Sequence, residues 1–107
     1  MSSSFEDRKR QEEARYQHDQ EFLFKVRNRR NRLFGLYVAE LLGLSGPDAD
    51  AYAKEVVLAD FERPGDEDVF EKVRADLAAK GVEASDHTLR KRFEALEATA
   101  REQIKAQ

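Results

Sequence analysis

The chain has 107 residues, with 22 acidic and 19 basic side chains, a net charge of -3 and no cysteine; this fits one small domain with a modest core, and excludes a disulfide scaffold, thiolate metal sites and a cysteine nucleophile. Charged residues make up 38% of it, mean hydropathy is -0.80, and there are only 2 Pro and 5 Gly, a balance that points to an all-α, helix-rich protein. The opening residues 1–7 have neither a basic nor an apolar signal-peptide region, and the longest nearly apolar stretch, residues 33–44, contains Glu40 and falls short of the ~20 residues a membrane span needs, so a soluble cytoplasmic protein without membrane insertion is expected.

Residues 5–21 form a charged leader whose only apolar groups are Phe5, Ala14 and Tyr16. A helix turns ~100° per residue, so the steps from Phe5 to Tyr16 bring both rings to nearly the same angle, where a partner groove could take both. The pairs Glu6/Arg10, Arg8/Glu12 and Lys9/Glu13 sit at i,i+4 and support helix by only a few tenths of a kcal/mol each. Residues 1–20 are therefore expected as a mobile, partly helical N-terminal arm, and residues 21–107 as a small four-helix bundle.

The first long helix is predicted from near Asp19 to Gly43, with Gly43 at C′ and Leu44 making the apolar contact after it. Its buried face is predicted to carry Phe22, Val26, Leu33, Tyr37 and Leu41, interrupted at Arg29 or Arg30. Ser45 and Asp48 suggest a capping box for a second helix running to about Phe61 and burying Tyr52, Ala53, Val56, Val57 and Ala59. Pro64 and Gly65 must break it. Asp66, Glu67 and Asp68 open a third helix, where carboxylates favour the positive dipole end, and Val69, Phe70, Val73 and Leu77 form its face. Lys80 and Gly81 end it. Ser85 or Asp86 caps a fourth, with the stripe Leu89, Phe93, Leu96, Ala100 and Ile104. Short connections predict the first two helices, and the last two, as antiparallel neighbours.

The charge is uneven: residues 1–43 hold 9 basic and 7 acidic side chains, and residues 44–107 hold 10 and 15. Lys25, Arg27, Arg29, Arg30 and Arg32 concentrate the positive excess, with no acid between Glu21 and Glu40. Such a run suits an acidic protein surface or nucleic-acid phosphates, or else forms the solvated side of a helix. The overall acidity weakens the nucleic-acid reading. Residues 73–93 superficially resemble a helix-turn-helix, but the connector is longer than that motif uses. His18 and His87 each lack a second histidine at metal-binding spacing, and the acidic cluster Asp60, Glu62, Asp66, Glu67, Asp68 and Glu71 lacks the ladder of a calcium loop. No glycine-rich phosphate loop or GxSxG motif occurs. No catalytic residue, metal or cofactor is expected.

Several unusual words occur in order. They include Arg30-Asn31-Arg32-Leu33-Phe34-Gly35-Leu36, Ala39-Glu40-Leu41-Leu42-Gly43, Ala51-Tyr52-Ala53-Lys54-Glu55-Val56-Val57, Ala59-Asp60-Phe61-Glu62, Gly65-Asp66-Glu67-Asp68-Val69-Phe70, Lys72-Val73-Arg74-Ala75-Asp76-Leu77 and Ser85-Asp86-His87. With them the chain resembles the zeta subunit of alphaproteobacterial ATP synthases, a family that includes inhibitors of the F1 ATPase. The resemblance implies a four-helix bundle whose N-terminal arm enters the cleft between catalytic and non-catalytic subunits of F1, near the central stalk, and blocks ATP hydrolysis. On that expectation Phe5 and Tyr16 are anchors, and Arg8, Lys9, Arg10, Glu12, Glu13 and Arg15 meet charges in the cleft. Lys25, Arg27, Arg29, Arg30 and Arg32 form a secondary contact; the protein is expected as a monomer when free and, when bound, as associated with the membrane-bound synthase through F1. The alternative is a small helical nucleic-acid-binding regulator.

Overall fold

Apolar residues recurring every three or four positions, punctuated by glycine, give four helices in the computed structural model, which describes the backbone of residues 3–61 and 65–107 and the side chains of residues 19–61 and 65–107. They are α1 (Ser3–Leu41), α2 (Gly46–Ala59), α3 (Glu67–Lys80) and α4 (Asp86–Lys105), with no strand among the described residues. The expected arm of residues 1–20 falls largely on residues 1–18, whose side chains lie outside the described residues. α1 begins ahead of Asp19, and both α1 and α2 end two residues earlier than the sequence suggests.

Local chemistry accounts for the helix ends. At the end of α1 the Gly43 N–H donates to the Glu40 carbonyl (3.0 Å) and the Leu44 N–H to that of Ala39 (2.9 Å), with Gly43 at φ 80°. This is the paired pattern of a Schellman motif, which needs a residue without Cβ strain at positive φ. α3 ends the same way, the Gly81 N–H donating to Ala78 and the Val82 N–H to Leu77. Ser85 caps α4 as expected, its Oγ accepting from the Thr88 N–H at 3.1 Å. The predicted capping box of α2 does not form. Ser45 holds the N-cap position, but its side chain makes no capping bond, and Pro47 follows in the first turn, where its fixed φ suits helix entry and its missing N–H removes one donor to satisfy.

The buried face of α1 differs from the predicted one. The buried row is Val26, Arg30, Phe34, Val38 and Leu42, flanked by Asn31 and Ala39, while Phe22, Leu33, Tyr37 and Leu41 are only partly buried at its borders. An apolar series broken by Arg30 misreads this row, because the guanidinium goes inside with its partners. The faces of α3 and α4 follow prediction more closely, with Val69, Phe70, Val73, Leu77, Leu89, Phe93 and Ala100 buried.

α1 is the hub, packed against both α2 and α4 and also touching α3. The pairings Arg29–Gln103, Arg30–Glu97 and Phe34–Phe93 run in opposite senses along the two helices, so α4 is antiparallel to α1. Gly35 faces α2 at a near-contact of backbones: a Cβ there would lie 2.7 Å from the Ala53 Cα. The predicted α3–α4 neighbours are held less by close backbones than by side chains, among them Phe70 on Phe93, Arg90 to Glu67 and Arg74 to Asp86. Phe34, Phe70 and Phe93 form an aromatic centre with centroids 4.9 to 5.7 Å apart, tilted or edge-on as their quadrupoles prefer. α2 and α3 are clasped by Tyr52, whose hydroxyl donates to Asp76 at 2.8 Å. Burial and that bond push the phenol well above its ordinary pKa.

Candidate functional site

One end of the bundle holds a polar node to which every helix contributes. Arg30, Asn31 and Asp60 are 6%, 0% and 5% exposed, a placement that charged groups tolerate only when paired and hydrogen-bonded. Arg30 donates through Nε to Asn31 (3.2 Å), through Nη1 to Glu97 (3.2 Å) and through Nη2 to Asp66 (2.9 Å), and its guanidinium stacks 4.2 Å from the centre of the Phe93 ring. Asn31 passes the network on, donating to Asp60 at 2.9 Å. Arg27 grips the same carboxylate with Nε and, at 3.0 Å, with Nη2. That hydrogen bond holds the Arg27 guanidinium above its ordinary pKa, against the opposing effect of burial. Asp60 sits at the end of α2 and Asp66 just before α3, so the node fixes both sides of the α2–α3 connection. No buried side-chain nitrogen or oxygen among the described residues lacks a partner.

The five cations of residues 25–32 therefore divide. Arg27 and Arg30 belong to the node, and burial keeps Arg30 from outside partners. Arg29 is half-committed, donating to Gln103 at 2.8 Å. Lys25 and Arg32 are exposed. With Arg29 and with Lys54 of α2 they rim a groove of about 710 Å³, whose floor is Phe24, Val57, Leu58 and Ile104. Phe24 and Leu58 are 52% and 64% exposed, and Phe61, 58% exposed, lies beside them with its ring 6.2 Å from that of Phe24. Lys54, Leu58 and Phe61 were not singled out in the sequence as binding residues. The signal was available, since Phe24, Leu58 and Phe61 fall outside the buried faces of α1 and α2.

Several of the remaining candidates are engaged within the bundle. Asp60 and Asp66 serve arginines, and among the described residues no group of three or more His, Asp or Glu is placed to hold a metal ion. Arg90 of the helix-turn-helix-like stretch is engaged by Asp86 (2.8 Å) and Glu67 (3.0 Å) and covers the Phe70 ring, while Arg92 lies over Tyr37. His87 is exposed in the first turn of α4. The side chains of Phe5, Arg8, Lys9, Arg10, Glu12, Glu13, Arg15, Tyr16 and His18 lie outside the described residues. Among the described residues no helix is long and apolar enough to cross a membrane.

A family model for the ATPase inhibitor subunit zeta matches residues 1–103. A protein whose structure was solved by solution NMR is 49% identical, with a TM-score of 0.70 over 78% of this chain and 94% of its own. No curated protein matches significantly.

Proposed function

Since the chain belongs to the ATPase inhibitor subunit zeta family, a regulatory role rather than a catalytic one is its premise, and we propose that it restrains the F1 part of an ATP synthase by lodging its N-terminal arm between a catalytic and a non-catalytic subunit near the central stalk. What supports this reading is the division of apolar side chains. The described core is built from Val26 onward, whereas residues 5–21 offer only Phe5, Ala14 and Tyr16. A segment so poor in apolar groups gains little from its own fold, and ordering it costs ~1 to 2 kcal/mol of backbone entropy per residue. A cleft that accepts Phe5 and Tyr16 and balances the charges of Arg8, Lys9, Arg10, Glu12, Glu13 and Arg15 supplies what the arm lacks. The lodged helix obstructs closure of the catalytic interface, so rotation stalls with no bond in ATP touched by the inhibitor.

In this reading the bundle is the dock. Lys25, Arg29 and Arg32 face outward for a secondary contact, while Arg27 and Arg30 act indirectly by holding α1 in place. The protein is a monomer when free and sits on the cytoplasmic side through F1.

The decisive experiment compares ATP hydrolysis by the cognate F1 in the presence of the full chain and of a chain lacking residues 1–19. Inhibition is expected to vanish while the helical circular dichroism of the bundle persists. Phe5→Ala and Tyr16→Ala are each expected to weaken inhibition by ~1 to 3 kcal/mol. Undiminished potency in the double variant refutes the anchors, and undiminished inhibition without residues 1–19 refutes the arm.

A further inference from the structure

We propose that the groove between α1, α2 and the end of α4 is a second docking site that takes an acidic amphipathic helix of the partner protein; the proposal rests on the F1-inhibitor reading and names the chemistry of its outer contact. The floor is apolar and open to solvent, with Phe24 and Leu58 more than half exposed and Phe61 continuing the patch. An exposed apolar patch with a polar rim is the usual mark of an interaction surface. Here the charged side chains of the rim are of one sign: Lys25, Arg29, Arg32 and Lys54 line the groove, and among the described residues no Asp or Glu does. In a chain of net charge -3, this face is opposite in sign to the whole.

The occupant follows from shape and charge. From Lys25 to Arg32 the groove follows α1 for about 10 Å, two turns of helix, which suits a short helix laid against α1 and α2 with its apolar side down and its acids toward the rim. A second copy of this chain in a symmetric contact would bring the same four cations face to face, a like-charge arrangement that opposes pairing. The chain's own arm sets Arg8, Lys9, Arg10 and Arg15 against Glu6, Asp7, Glu12, Glu13 and Asp19, so its acids are nearly all offset by its own cations and it offers the four-cation rim little net complement. Proximity links the groove to the arm. Tyr16 lies only eight positions before Phe24, a reach of at most about 28 Å, so the groove meets the same partner that the arm enters. Two linked contacts on one partner raise avidity through effective concentration.

The test uses the full chain and its Lys54→Glu/Leu58→Asp variant, both changed side chains being exposed. Binding to immobilised cognate F1 is expected to weaken about tenfold or more, with the half-inhibitory concentration rising in step and the wild-type affinity falling with salt. Unchanged affinity in a variant of native circular dichroism overturns the groove and leaves the inhibitor reading intact. If the wild type neither binds nor inhibits F1, that reading fails, and the groove is judged by amide NMR with a synthetic acidic amphipathic peptide. Shifts at Phe24, Leu58 and Ile104, absent with a charge-neutral analogue, support it; no shift overturns it. Groove shifts on dilution, on replacing arm residues, or on adding duplex DNA or anionic vesicles but not the peptide, assign the face to another occupant and overturn it as well.

Discussion

Gly35 shows how one missing methyl group sets the distance between two helices. Glycine within a helix is ~1 kcal/mol worse than alanine, so its presence inside α1, about two turns from its C-terminal end, requires a reason, and the reason is the Ala53 backbone directly opposite. Gly35→Ala should improve local helix propensity and still lower stability by ~1 to 3 kcal/mol, because a Cβ at 2.7 Å from a backbone atom forces α1 and α2 apart. Denaturant unfolding checks the sign, and a variant more stable than wild type would contradict the close approach. Arg30 gives the opposite lesson. Its position in the buried row was hidden in the sequence because a periodicity argument discards charged residues. The partners that admit it, Asp66 and Glu97, lie 36 and 67 residues away, beyond any local window. Asp60 and Asp66 of the acidic cluster, on either side of the α2–α3 turn, are counterions of the basic run.

At the level of single helices the sequence was most informative where backbone chemistry decides. Gly43, Gly81 and Ser85 occupy the terminal positions their residue types favour. Ser45 and Ser85 look alike as caps, yet only Ser85 accepts a backbone N–H. Ser85→Ala is therefore expected to cost about 0.5 to 2 kcal/mol and Ser45→Ala less than about 0.5 kcal/mol, measured side by side by thermal unfolding. Next to that cap, Asp86 is bound by Arg90 and Arg74 (2.8 and 3.0 Å). The Arg90 hydrogen bond foremost, with the charges of Arg90 and Arg74, holds its carboxyl below the ordinary range. A depressed folded-state pKa stabilises fully above the ordinary carboxylate value and is lost as pH falls through the folded value. The stability difference between wild type and Asp86→Asn should accordingly shrink on acidification through that window, as followed by unfolding at successive pH values. A difference that grows in acid would reverse the assignment.

For the molecule as a whole, the all-α class and the four-helix count were legible from amphipathic spacing, while the arrangement was not. Short connectors suggest that α3 and α4 pair closely, but α1 takes both α2 and α4, since it alone carries a buried row and flanks broad enough to serve several partners. The node around Arg30 then links all four helices. Arg30→Lys keeps the charge but replaces three spread nitrogens with one, which cannot match the separate positions of Asn31, Asp66 and Glu97 or lay a planar group over Phe93. It is expected to destabilise the bundle by ~1 to 3 kcal/mol, with a melting temperature lower by ~4 to 8 °C per kcal/mol. Calorimetry tests this, and an unshifted transition would show that the node contributes little. The groove was the least legible part, because its floor comes from three helices and its cations from two.

The centrality of α1 also bears on mechanical load. Residues 3–41 form one continuous helix, so under the proposed lodging of the arm a pull from the partner enters the molecule along that helix axis. It is shared at once by the partners gripping that rod on either flank. An anchor attached through a peripheral helix would peel away one contact at a time; pulled through its middle, this one resists by shear.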